Sequence, residues 1–339
     1  MEYCGIDVHV GKSEVCVVNE AGRVEERWTV RTTRPALTER FEGRERMRVA
    51  IEAGGSSPWV SRLLAGMGHE VIVCNPRRVR LIAESTRKKD TIDAEVLARL
   101  VRMDPEFLKP VVHRSEEAQL LRSRMTVRRA LVQARTGWIN TVRGLLRAFG
   151  HKVPGRNAES FAKRVGQVNL PPEVRQVIAP LLEQLDQVSG EIKRCDEELA
   201  QLAAGMPEVG HLQEIPGVGL LTALYFVLTI DDPTRFRCGR QVAAFLGLVP
   251  RLHESGEVSH LGRITKEGDT EARRLLVQAA HGVFRSRRVT ALQRWGAEVA
   301  GRRGKGKAVV AVARKLVVIM HHLWVTGEVY QPFPESSAA

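Results

Sequence analysis

Short β-rich runs and helical stretches alternate through the first hundred residues, and that order constrains the fold more than any other feature of the chain. Tyr3–Val8 and residues 13–18 are β-rich, Glu20-Ala21-Gly22 makes a turn, and a third run lies around 27–30. Residues 47–51 form a further strand. Ser57-Pro58 then opens a helix with Trp59, Leu63, Leu64 and Met67 on one face, which stops at Gly68. Glu70–Cys74 reads as a buried strand closed by Asn75-Pro76, and Asp90–Met103 has helical spacing at Ile92, Val96, Leu97 and Leu100. Three strands, a helix, a strand and more helix predict a mixed α/β domain over residues 1–108.

The rest of the chain reads differently. Residues 109–206 predict a helical, coiled-coil-like spacer. An Arg-rich helix over 115–150 and a second over about 173–203, with Leu181, Leu185, Val188, Ile192 and Leu199 as its apolar stripe, would pair antiparallel. Residues 207–331 predict a mainly α domain in which 245–263 is a Gly-rich loop and 271–284 and 308–324 are helices, with 332–339 as a tail. No internal repeat is visible. The five cysteines are scattered without a C-x-x-C pair, which argues against a disulfide framework or a zinc ribbon. No signal peptide is legible, and Arg314-Lys315 interrupts the most apolar late stretch, so the expectation is a soluble cytoplasmic chain without a membrane span. Its 52 Lys and Arg against 39 Asp and Glu give a formal charge of +13, which favours a polyanionic partner, nucleic acid first.

Four carboxylates carry the first chemical signal. Asp7 ends the first strand, Glu52 ends the strand that starts at 47, and Asp90 and Asp93 lie three apart on one helix face. An acid at the tip of an apolar strand must be solvated, paired or metal-bound. Two such acids near a helix-borne pair make the oxygen-rich setting Mg²⁺ prefers, although Asp90 and Asp93 could equally cap their helix. Pro216-Gly217-Val218-Gly219 between apolar helices could offer backbone N–H groups to a phosphate, or could simply be a tight turn that needs positive φ. Ser255, before Gly256 in a segment rich in Arg251, Arg263 and Lys266, is a candidate nucleophile, although most Ser-Gly pairs are turns. Candidate nucleic-acid contacts are Lys88, Lys89, Arg128, Arg129, Gly217, Gly219, Arg251, Arg263, Lys266, Arg302, Arg303, Lys305 and Lys307.

Gly5-Ile6-Asp7-Val8-His9, Ile51-Glu52-Ala53, Asn75-Pro76 and Lys89-Asp90-Thr91-Ile92-Asp93-Ala94 resemble the amino-terminal domain of the DEDD transposases of the "IS one-ten" insertion-sequence family, relatives of the Piv invertase. Ile215-Pro216-Gly217-Val218-Gly219, Phe245-Leu246-Gly247-Leu248-Val249-Pro250 and the stretch from Gly262 to Asp269 resemble its carboxy-terminal domain. The resemblance implies a ribonuclease-H-like, RuvC-like first domain with Asp7, Glu52, Asp90 and Asp93 as its Mg²⁺ tetrad, Mn²⁺ being a substitute. Beside the Pro216-Gly217-Val218-Gly219 turn, which is helix-hairpin-helix-like by its own pattern, the resemblance implies a serine in the carboxy-terminal transposase domain, best matched by Ser255 with Ser259 as fallback, that forms a covalent phosphoserine with DNA. It further implies donor and target duplexes, a structured bridge RNA as guide, and a dimer or tetramer. Family members often show two adjacent serines before the glycine, where this chain reads Glu254-Ser255-Gly256. The alternatives are a RuvC-like junction-resolving nuclease without a covalent step, a sugar-kinase-like ATPase, which also opens on a G-I-D strand, and a catalytically dead nucleic-acid-binding relative.

Overall fold

The computed structural model describes residues 1–76, 90–255 and 258–333. Lys88 and Lys89 lie outside them, as do the side chains of Asp90, Ser255 and Ser259. The chain divides into two compact units, Met1–Arg114 and Ser115–Ala339, and the two long helices expected as a spacer belong to the second.

The first unit is a five-stranded mixed sheet of order β3-β2-β1-β4-β5. Strands β1 (Tyr3–Val8), β2 (Lys12–Val18) and β3 (Val24–Arg31) form an antiparallel meander, while β4 (Arg48–Glu52) and β5 (Glu70–Cys74) run parallel to β1. This topology is consistent with the ribonuclease-H-like expectation. Helix α1 (Arg34–Phe41) was not anticipated: it opens on Arg34-Pro35 and buries only Leu37 and Phe41, too few positions to show a helical period. With α2 (Ser57–Gly66) it covers the sheet face formed by Cys4, Ile6, Val49 and Ile51. The opposite face, formed by Ala50, Cys16 and Val18, packs against Ala94, Leu97 and Ala98 of α3 (Asp90–Met103).

Gly5 lets that helix come close. A Cβ there would stand 2.0 Å from the Ala94 carbonyl oxygen and 2.5 Å from the Ala98 nitrogen, both backbone atoms that cannot step aside. Gly5→Ala should therefore cost about 3 kcal/mol, the upper part of the overpacking range. A urea midpoint equal to that of the wild type would refute this reading of the contact.

In the second unit, α4 (Glu116–Ala148) and α6 (Pro172–Ala204) run antiparallel, as ion pairs from Arg124 to Glu198 and Arg128 to Asp196 require. Ser115 caps α4 by accepting from the Ala118 N–H. Short α5 (Phe161–Gly166) closes a small core at the far end of the pair, built on Ile139, Val142, Leu146, Phe161 and Ile178. The main core gathers α7 (Pro207–Gln213), α8 (Leu220–Ile230), α9 (Gly239–Phe245), α10 (Thr270–Arg285), α11 (Ala291–Arg303) and α12 (Lys305–Thr326). Helix α12 is long and apolar enough to cross a membrane by length and composition alone. Its Val312, Ala313, Leu316, Val317 and Met320 are fully buried in this core, which accounts for the apolar stretch.

The expected loop over 245–263 is instead largely a β-hairpin, β6 (Pro250–Ser255) against β7 (Val258–Ile264). Its glycines and charges disguise it, since a two-stranded ribbon has little apolar face to show in sequence.

Candidate functional site

Three elements bring the predicted acids toward one end of the first unit. Successive strand residues face opposite sides of a sheet. Cys4 and Ile6 face the α1–α2 layer, so Gly5 and Asp7 face α3; Val49 and Ile51 likewise set Ala50 and Glu52 toward α3. Ile6 pairs with Ile51 in parallel register, so Asp7 and Glu52 follow one step later on neighbouring strands, at their carboxyl ends. Ligands of open α/β sheets bind outside such ends. Asp7 is only 9% exposed, and His9 Nε2 lies 3.1 Å from its Oδ2.

Helix α3 supplies the remaining pair. Tyr3 packs near Leu97 and Val101 while Gly5 abuts Ala94 and Ala98, so α3 runs antiparallel to β1. From Ala94 back to Asp90 is about 6 Å of helix, and from Gly5 on to Asp7 about 6.6 Å of strand. The first turn of α3 therefore lies at the Asp7 end. Asp93 lies in that first turn and is exposed, and the side chain of Asp90 lies outside the described residues. Among the described residues no group of three or more His, Cys, Asp or Glu is already drawn together as a metal cage. The donor set, all carboxylate oxygens apart from His9, fits a hard divalent cation such as Mg²⁺.

A neighbouring device was missed by sequence reasoning. The loop after Glu52 is closed by Ser57, whose Oγ accepts from the Gly54 N–H and donates to the Gly54 carbonyl, each at 2.9 Å. The single hydroxyl proton is thus committed, so His113 Nε2 must be the donor in its 2.9 Å bond to Ser57 Oγ. Burial first, then Arg62 and Arg114, hold His113 below its ordinary pKa of 6.5. A depressed histidine leaves stability intact above the unfolded-state pKa and withdraws it as pH falls through 6.5 toward the folded value. The first unit should lose up to about 1.4 kcal/mol per pH unit in that window, and His113→Gln should flatten the slope. Melting curves of both proteins between pH 8 and 5.5 test it; parallel curves would remove His113 from the account.

The second unit presents Ser255 and Ser259 at the end of the hairpin, on neighbouring rungs: Ser255 pairs with Val258 and Glu254 with Ser259. The ribbon's base is anchored by buried Arg273, which donates to the carbonyls of Leu246 (3.1 Å) and Glu267 (2.6 Å). Asp269, which ends the Gly262–Asp269 motif, caps α10 and pairs with Arg122 of α4, while Tyr225 donates to it at 3.2 Å. Burial pushes the Tyr225 hydroxyl up to about 12, so it stays a donor at neutral pH.

A groove of about 560 Å³ opens beside the hairpin base, next to Pro250 and Ile264. Arg240, Arg302, Arg303, Lys307, Arg314 and Lys315 line it over an apolar floor, with no carboxylate among the described residues. Arg251, Arg263, Lys266 and Lys305 are exposed outside it. Arg128 and Arg129 are instead engaged by Asp196 and Glu271 within the unit. Gly217, at φ +93°, packs against α10: a Cβ there would lie 2.5 Å from the Ala279 carbonyl oxygen. Its glycine is thus accounted for by that crossing, whereas Gly219 opens α8 with free space around it.

Two family models match the chain. A family model described as "Transposase IS116/IS110/IS902 family" matches residues 209–294, and a DEDD transposase model, described as "Transposase", matches 4–150. The chain is 31% identical over 337 residues to "Transposase for insertion sequence element IS1111A" of Coxiella burnetii, covering 96% of this chain and 90% of that one. It is 32% identical to a "Probable family 20 transposase" of Pseudomonas aeruginosa over 84% of this chain and 86% of that one. A "Pilin gene-inverting protein" of Moraxella bovis is 31% identical over 39% of this chain and 43% of its own length. The sugar-kinase-like alternative is thereby set aside.

Proposed function

The chain belongs to the IS116/IS110/IS902 family of transposases, enzymes that cut and join DNA, and from that premise we propose a Mg²⁺-dependent recombinase that exchanges strands through a phosphoserine. The observation that carries the reading is the convergence of Asp7, Glu52 and the first turn of α3 on one sheet end. Asp7, Glu52, Asp90 and Asp93 would hold the divalent cation, with Mn²⁺ as a substitute. When bound, such a cation offsets charge that builds on the phosphoryl and departing oxygens.

Ser255 Oγ attacks the DNA phosphorus as the bond to the leaving deoxyribose oxygen breaks, and the serine proton leaves with the departing hydroxyl. A DNA hydroxyl then reverses the step on a new partner, so one phosphodiester replaces another without ATP. The six-cation groove beside the hairpin base supports a strand held there by its phosphates. Cytoplasmic action on donor and target duplexes, a guide RNA and a homo-oligomer complete the proposal.

The test is to purify the protein from cells carrying its native flanking DNA, sequence the nucleic acid that accompanies it, and assay exchange between plasmids. One discrete RNA that pairs with the element's ends, together with precise exchange joints, is the expected result. Random RNA would remove the guide. Failure to form joints with the element's own ends would remove the recombinase.

A further inference from the structure

The end of the helical pair in the second unit carries basic groups that the fold itself does not use. From residue 143 to 175 the chain has seven Lys and Arg against two Glu, whereas 181–204 has six acids against two bases. Along the shaft the cations are spent on Arg124–Glu198, Arg128–Asp196, Lys193–Glu197 and Arg194–Glu191 pairs. At the end they are not.

The connection after α4 borders an open hollow of about 790 Å³, lined by Arg143, Arg147, His151, Lys152 and Arg156, with no carboxylate among the described residues. Two arginines hold the connection in place. Arg143 stacks 5.2 Å from the Phe161 ring centre and donates to the Gly155 carbonyl. Arg164 donates to the Asn157 carbonyl and keeps a buried Nε without a partner. Arg147, Lys152 and Arg156 are exposed, and their side chains make no hydrogen bond or ion pair among the described residues. Three unpaired cations on a connection held in place by two others repel one another, and an anion offsets that repulsion.

We infer that this hollow is a second anchoring site for duplex DNA, held by its phosphates, at the end of the helical pair. The inference rests on the DNA-acting reading above but involves neither the acids nor Ser255. With 33 residues, α4 spans about 50 Å, so the site lies far along the second unit from the groove beside the hairpin. Recognition is by charge and carries no base specificity.

The experiment uses the full-length protein and a 40-base-pair duplex of arbitrary sequence, in EDTA so that no strand chemistry intervenes. Each phosphate contact contributes about 0.9 to the slope of log affinity against log salt. The Arg147→Glu/Lys152→Glu/Arg156→Glu protein should lose between two and three from that slope and at least tenfold in affinity near 0.1 M salt. Its melting curve should be unchanged, and the Arg147→Lys/Arg156→Lys protein should bind as the wild type does. A folded triple variant with the wild-type slope would overturn the site. A deficit seen only with a structured RNA hairpin would overturn its assignment to DNA. Because cleavage is not read, failure of the recombinase chemistry leaves this result untouched.

Discussion

Asp7→Asn should reduce strand cleavage by about a thousandfold or more while leaving the protein folded. The carboxylate sits at the end of the central strand, on the α3 side, one step beyond the last paired rung with β4. An amide fills the same volume and still pairs with His9, but it lacks the charge that a hard cation requires. A loss of about 4 kcal/mol in transition-state stabilisation corresponds to three powers of ten in rate. Cleavage of a labelled element end in Mg²⁺ reads this directly. The second readout is melting with and without Mg²⁺: the wild type should gain stability from the ion and Asp7→Asn should gain little. Cleavage within tenfold of the wild type would mean that the four acids do not form the reaction centre. Glu52→Gln should behave in the same way, because Glu52 ends the neighbouring parallel strand on the same face. Both substitutions differ from Gly5→Ala, which acts through packing and should fail the urea test first.

How far such a site can be read without coordinates depends on the range of the interactions that define it. The strands around Asp7 are legible because their apolar residues recur with local period, whereas the close approach of a helix to Gly5 is seen only once Ala94 and Ala98 are placed beside it. The placement of Asp93 follows from spacing within one helix. Partners distant in the chain are invisible. Arg128 reads as a free cation until Asp196 is found beside it, 68 residues on, and Arg129 until Glu271, 142 residues on. Gly217 is ambiguous for the same reason: a glycine needed by a phosphate and a glycine needed by a crossing helix have one spelling. Ser57 and His113, 56 residues apart, carry no local signal at all. The hairpin carrying Ser255 was concealed by composition, since its ladder depends on backbone pairing rather than on an apolar stripe.

Ser255→Ala should abolish the covalent protein–DNA adduct and strand joining, a loss on the order of ten-thousandfold or more, as removal of a nucleophile typically causes. The position ends β6, so the side-chain change disturbs neither the ribbon's base nor the Arg273 anchor, and DNA affinity should hold. Denaturing gels of the protein with labelled element ends and Mg²⁺ would show the adduct as a shifted band in the wild type and none in the variant. Ser259→Ala should keep the band, since Ser259 lies on the neighbouring rung of the partner strand. The reversed pattern would transfer the nucleophile to Ser259 and leave the covalent mechanism in place. A different result carries more weight: if Ser255→Ala and Ser259→Ala both cut DNA at the wild-type rate and release free ends, water is the nucleophile. The same four acids would then serve a junction-resolving nuclease, in which bond energy is lost at each cut and rejoining must be supplied from elsewhere. The adduct thus separates two enzymes that the carboxylate geometry alone would leave identical.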